Sequence, residues 1–313
     1  MTRLVAGVIV LCLGIVSPIL AADKPEKKVE QKAEHKTFRV GVTQVPMYTL
    51  ASALAYGSPV ETLLIEKNEK GNWKIPKDLT VVFWSGPALE PKLAKQLEES
   101  KQGAVAMMEA AGVHQLAKRT PAEWKKPGED EDPHHEGLGK GYGMVQTIRP
   151  EGEIDTLYWL DPLNAMAALE AIKMVFQGLD QRNHWGYQGN ADKIVQALWE
   201  MDIRVSKMLH DVTNQPFIVL QDEFQYLEQR YKLSTVPAGG SAQDIVKKAK
   251  DRSIQCVVAT KSFDQNLKSA LDKAGLKSAV LDPAGLQMPK STGAYFEWYV
   301  GLIKQLNGCA AKS

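Results

Sequence analysis

An α/β fold of two lobes is the architecture the sequence predicts. Each lobe is a mainly parallel sheet flanked by helices, and a long rigid interdomain helix joins them. Three observations carry this. Short β-branched apolar runs alternate with helical stretches, the pattern of parallel sheets. The alternation occurs once before residue 110 and again after residue 215. Between the two, Ala191 to Thr213 carries Ile194, Leu198, Met201, Val205, Met208 and Leu209 at helical spacing, over roughly 30 Å.

The first lobe opens with a strand at Phe38–Val45, ended by Pro46, and a helix at Tyr48–Ala55. Val60–Ile65 is a second strand. A polar loop, EKNEKGNWKIPKD (66–78), leads to a third strand, Leu79–Trp84, whose lack of alternation marks burial on both faces. Ser85-Gly86-Pro87 turns the chain into a helix at Ala88–Glu99, and Ala104–Met108 is a further candidate strand. Thr156–Leu160 reads as a short strand. Asp161 then caps, and Pro162 begins, a helix over Leu163–Gln177 that Gly178 stops. Residues 180–190 read as a polar link before the interdomain helix. The second lobe begins with the buried strand Phe217–Leu220, which runs directly into a helix marked by Phe224, Leu227 and Tyr231. Ala242–Arg252, Asp264–Ala274 and Tyr295–Asn307 follow as helices, with strands at Cys256–Ala259 and Ala279–Leu281.

The chain has 313 residues and a formal net charge of +1. That length allows two domains with cores of their own. The near-neutral balance speaks against nucleic acid, which calls for a basic face. At the N-terminus, Arg3, the apolar run Leu4–Leu20 and the small pair Ala21-Ala22 have the layout of a secretory signal peptide. The alternative is a membrane anchor. A run of about 17 apolar residues broken by Pro18 favours cleavage. Leu11 before Cys12 is unlike a lipoprotein signal, so no lipid anchor is expected. The expected organisation is a signal peptide (1–22), a charged flexible lead (23–36), a first lobe (37–178) with a polar insert at 119–143, a linker and interdomain helix (179–214), and a second lobe (215–313). After cleavage two cysteines remain, Cys256 and Cys309. In an exported protein they read as a disulfide, the alternative being two buried thiols.

No catalytic grouping stands out. There is no Gly-x-Ser-x-Gly, P-loop or Cys-x-x-Cys, so an enzyme is not expected. The binding candidates are polar groups just after strands, where α/β sheets receive ligands: Asp161, Gln221, Asp222 and Asp282. Capping the next helix is the competing role for each aspartate. In the insert, the acidic run Glu129–Asp132 precedes His134 and His135. Imidazole beside carboxylate suits weak capture of a divalent cation, and a plain solvated loop is the alternative.

Four segments in order resemble the exported substrate-binding proteins of zinc and manganese ABC importers, especially the ZnuA type. They are VVFWSGPALEPKL, YWLDP with its helix, FIVLQDEFQYLEQRYKL, and VLDPAG. The insert falls where that family keeps its metal-gathering loop, and Cys256 and Cys309 look like its second-lobe disulfide. The resemblance implies a monomeric periplasmic protein that carries zinc or manganese, as transported ligand, to an inner-membrane ABC permease. It also implies three cleft histidines. This chain has Leu157 at one of those positions, Gln221 at another, and no histidine in the 66–78 loop; only the carboxylate Asp282 survives. Leucine cannot coordinate and a glutamine carbonyl is a weak neutral ligand, so a degenerate metal cleft is expected. The alternative is a scaffold that docks a protein partner, with Leu157, Trp159 and Trp73 as apolar contacts around the cleft.

Overall fold

The computed structural model describes residues 37–100, 102–119, 150 and 152–311. The expected signal peptide, the expected lead and most of the insert, including His134 and His135, lie outside the described residues.

Strands β1 (Phe38–Val42), β2 (Val60–Leu64), β3 (Val81–Trp84) and β4 (Gly103–Ala106) form one sheet in the order β2-β1-β3-β4. Strands β5 (Phe217–Val219), β6 (Thr235–Pro237), β7 (Cys256–Ala259) and β8 (Lys277–Val280) form a second in the order β6-β5-β7-β8. Every pairing is parallel. The two lobes therefore repeat one topology.

Side chains alternate across each strand and sort the apolar residues into layers. Val81 and Phe83 join a large core that continues into the other lobe, whereas Val82 and Trp84 join a small cluster behind the first sheet. In the second lobe Phe217, Val219 and Val258 face the shared core, and Ile218 and Val257 face a cluster behind the sheet. The shared core is closed by α1 (Val45–Leu54), α3 (Pro162–Leu179), α4 (His184–Leu209) and α8 (Ala294–Ala310). The outer faces carry α2 (Pro91–Glu98) on the first lobe, and α6 (Ala242–Asp251) and α7 (Gln265–Lys273) on the second.

Helix ends follow the local chemistry. Asp161 Oδ1 accepts from Leu163 N at 2.9 Å ahead of Pro162 at the start of α3. Ser241 and Asp244 form a reciprocal capping box on α6. Cys256 and Cys309 are joined in a disulfide that ties the start of β7 to the end of α8.

Three expectations are corrected. Thr156–Leu160 is not a strand; Tyr158–Leu160 form a 3-10 turn. Its three side chains are all buried between the lobes, and its carbonyls are satisfied without a ladder. Tyr295 OH donates to Trp159 O at 2.7 Å and Tyr299 OH to Leu160 O at 2.6 Å. The polar link at 180–190 is largely helical: α4 begins at His184 and spans 26 residues, about 39 Å, because buried Tyr187 anchors its first turns despite Gly186 and Gly189. Strand β6 has no counterpart in the reading above; three residues ending in Pro237 give a weak signal, and proline fits only because β6 is an edge strand.

Candidate functional site

In open α/β sheets ligands bind where the strand order reverses, at the carboxyl ends of the strands. Here those points lie between β1 and β3 and between β5 and β7. A glutamine reaches across each. Gln44 Nε2 donates to Glu90 Oε1 at 2.8 Å, while Ser85 N donates to Glu90 Oε2 at 2.7 Å. In the second lobe Gln221 Oε1 accepts from Thr260 N at 2.9 Å and from Thr260 Oγ1 at 3.2 Å. Both lone pairs of that carbonyl are engaged.

The other candidates also have partners. Asp282 Oδ1 accepts from Leu286 N at 3.0 Å and Oδ2 from Gln287 N at 2.7 Å, so the carboxylate folds its own loop. The same loop touches the first lobe: Trp159 Nε1 donates to Pro283 O at 3.0 Å, and Gly285, at φ +67°, lets Pro46 approach so closely that a Cβ would sit 3.0 Å from its Cγ. Leu157 is half-buried against the shared core, and its N–H donates to Asp155 Oδ1 at 3.0 Å. None of Leu157, Gln221, Asp222 and Asp282 hydrogen-bonds to another. Trp159 and Trp73 are 1 % and 8 % exposed, which removes them as docking contacts: both are core side chains.

Asp222 belongs to an ion-paired network that joins the lobes. Arg119 Nε donates to Asp222 Oδ1 and Oδ2 at 3.1 and 3.0 Å, and Arg119 Nη2 to Asp222 Oδ1 at 2.8 Å and Glu228 Oε1 at 2.6 Å. Arg119 ends a short ribbon at the base of the insert, where Lys118 N donates to Glu153 O and Asp155 N to Leu116 O. Tyr226, on α5 (Gln225–Tyr231), clasps both sides of the ribbon: its hydroxyl accepts from Leu116 N and donates to Asp155 O, each at 3.1 Å. Burial pushes the Glu228 carboxyl up and the Arg119 hydrogen bond pulls it back. For Arg119 burial works against the charge, but its bonds to Glu228 and Asp222 outweigh it and hold the guanidinium above its ordinary range. Asp155 is raised to about 6, by burial first; the Leu157 N–H opposes the shift and the Asp222 charge adds to it.

Zinc favours nitrogen and sulfur donors and commonly takes four ligands. Among the described residues no three His, Cys, Asp or Glu side chains are arranged to hold a metal ion. The donors present do not fit a tight zinc centre: one committed amide, one carboxylate bound to its own loop, and two carboxylates bound to Arg119.

The family model described as "Zinc-uptake complex component A periplasmic" matches residues 77–309. The chain belongs to the ZnuA family. The high-affinity zinc uptake system protein ZnuA of Brucella suis is 26 % identical over 313 residues, covering 87 % of this chain and 92 % of its own. A ZnuA crystal structure superposes with a TM-score of 0.65 at 16 % identity, covering 88 % of this chain and all of that one. The Zn(II)-bound ZnuA-like domain of Streptococcus pneumoniae AdcA gives 0.62 at 19 % identity, with 88 % and 100 % covered. These structures share the two-lobe fold. ZnuA-family proteins are periplasmic substrate-binding components of zinc ABC importers and not enzymes, so zinc enters as cargo. Arg119 and Asp155 carry no motif of their own, because their meeting with Asp222 and Glu228 depends on the lobes' packing. The hint was the segment FIVLQDEFQYLEQRYKL, which contains both Asp222 and Glu228.

Proposed function

We propose that this ZnuA-family protein, released into the periplasm by signal-peptide cleavage, delivers cargo to an inner-membrane ABC permease through a degenerate interlobe cleft. Zinc is the cargo that family membership supplies. The observation that carries the reading is the double engagement of Asp222 and Glu228 by Arg119. It sets a fixed positive charge against the candidate Asp222 and the buried Glu228 in a chain with Leu157 and Gln221 where the resemblance implies histidines. Any zinc carried by the protein is then bound outside the four cleft positions, with His134 and His135 as the first candidates.

The test is native mass spectrometry of the mature untagged protein before and after chelation. The expected result is no zinc that survives buffer exchange in a variant lacking residues 120–143, which keeps Arg119 on Asp222 and Glu228. A sub-micromolar zinc site in that variant, abolished by Asp282→Ala, would overturn the reading. The partner-docking alternative loses two of its three apolar contacts, because Trp73 and Trp159 are buried.

A further inference from the structure

Strand β8 leaves one side of the second sheet open. It is last in the order β6-β5-β7-β8, and β7 is its one strand neighbour among the described residues. Lys277 N donates to Gln255 O at 2.9 Å and Leu281 N to Ala259 O at 2.8 Å, so the odd-numbered amides point at β7. The backbone N–H and C=O of Ser278 and Val280 therefore point outward. A groove of about 560 Å³ follows this edge. It is lined by Lys268 and Asp272 of α7, Ser278 and Val280 of β8, and Gln305 and Gly308 of α8.

An open edge is a template for another strand, and folds blunt it with proline, a projecting lysine or a covering segment. The opposite edge strand, β6, ends in Pro237. On β8 the one lysine, Lys277, is bound to the chain's own Ala311 O at 3.2 Å, and Val280 is 46 % exposed. On the neighbouring helix, a Cβ at Gly308 would meet nothing within 4 Å. A glycine within a helix costs up to about 1 kcal/mol relative to alanine, and no contact inside this chain requires one there.

Charge selects the occupant. Lys268 and Asp272, one turn apart on α7 and joined at 2.6 Å, are both about half exposed, so the rim carries one charge of each sign. A strongly acidic or strongly basic peptide gains little from such a rim. A second copy of the chain fits it, because a two-fold axis reverses the order of the pair and sets the lysine of each copy toward the aspartate of the other. The strand agrees. An axis at Ala279 places Ser278 opposite Val280 of the second copy, with both residues exchanging their outward N–H···O bonds. Lys277 then falls opposite Leu281, and no like charges on the two strands face each other.

We propose that β8 pairs antiparallel with β8 of a second copy of this chain, joining two four-stranded sheets into one across an isologous two-fold interface. The interface uses none of the cleft positions, so it stands apart from the cargo reading. It departs from the monomer that the family resemblance implies.

The experiment is sedimentation equilibrium of the mature protein over graded concentrations, with chelator present so that no metal bridges two chains. A reversible monomer–dimer equilibrium is expected. Val280→Pro removes an outward N–H that the sheet does not use, and is expected to weaken the dimer at least about tenfold without changing the far-ultraviolet circular dichroism. Lys268→Asp and Asp272→Lys should each self-associate less than the parent, and their equimolar mixture should restore the dimer as a heterodimer. The proposal is overturned by a monomer at every concentration up to roughly 1 mM, the result that an extended peptide of another protein as occupant would give. It is equally overturned by a dimer that a folded Val280→Pro variant keeps, or by a charge-swapped mixture that associates no better than its parts. Where Val280→Pro does not fold, the two charge variants decide, since both replace exposed side chains on α7.

Discussion

Arg119 and Asp222, separated by 103 positions in the sequence, meet through three guanidinium–carboxylate hydrogen bonds of 2.8 to 3.1 Å. Arg119 ends the ribbon at the base of the insert; Asp222 follows the first strand of the second lobe. Replacing Arg119 with alanine leaves Asp222 and the deeply buried Glu228 unpaired. The expected loss is about 3 kcal/mol, the low end for breaking a buried pair because Arg119 and Asp222 keep some solvent contact. Urea denaturation measures it. Hydrogen exchange should rise locally at residues 112–119 and 153–157. A loss below the error of the measurement would show that the network is incidental.

Asp155 predicts a pH dependence. Its folded-state value of about 6 lies above the ordinary aspartate value of 3.8. Between those values the folded state holds more protons than the unfolded chain, so stability falls as pH rises through this window. The cost is absent below about pH 4 and complete above pH 6. The Asp155→Asn variant keeps an oxygen for the Leu157 N–H and removes the charge. It should exceed the parent in stability at pH 7, by at most about 3 kcal/mol, and lose that advantage at pH 4. Equal pH profiles for the two proteins would contradict the assignment.

Restoring imidazoles tests whether the cleft is degenerate by composition alone. The Leu157→His, Gln221→His double variant is expected to bind zinc on the order of tenfold or more tightly than the parent. Each single variant should stay near the parental value. Calorimetric titration decides. An unchanged double variant would mean that the two positions do not address one centre.

The disulfide closes a loop with a sequence separation of 53. In the chain-entropy model this contributes about 4 kcal/mol. Replacing both Cys256 and Cys309 with alanine should lower the denaturation midpoint accordingly without changing the far-ultraviolet circular dichroism.

Much of the architecture is written in local periodicity. Leu79–Trp84 and Cys256–Ala259 lack alternation because both their faces are covered, and β3 and β7 are indeed the central strands next to the switch points. The helix after Asp161-Pro162 begins where capping chemistry puts it. Tyr158–Leu160 is apolar enough for a strand, but its carbonyl partners are tyrosine hydroxyls more than 130 positions away, and no local window shows them. The site divides the same way. Leu157, Gln221 and Asp282 are singled out by their place in the family motifs. Arg119 is not, because a charged residue at the edge of a polar insert reads as solvated until the second lobe is packed beside it.

Asp282 shows how a motif can outlive one of its uses. Its two oxygens bind Leu286 N and Gln287 N, its carbonyl accepts from Trp298 Nε1, and the loop it shapes brings Gly285 against Pro46. Such an aspartate has work enough to persist for its loop alone. By geometry it is a brace between a strand end and the opposite lobe. Searches for divergent relatives that weigh this acid as a mark of metal binding would therefore score the loop's architecture along with any ligand.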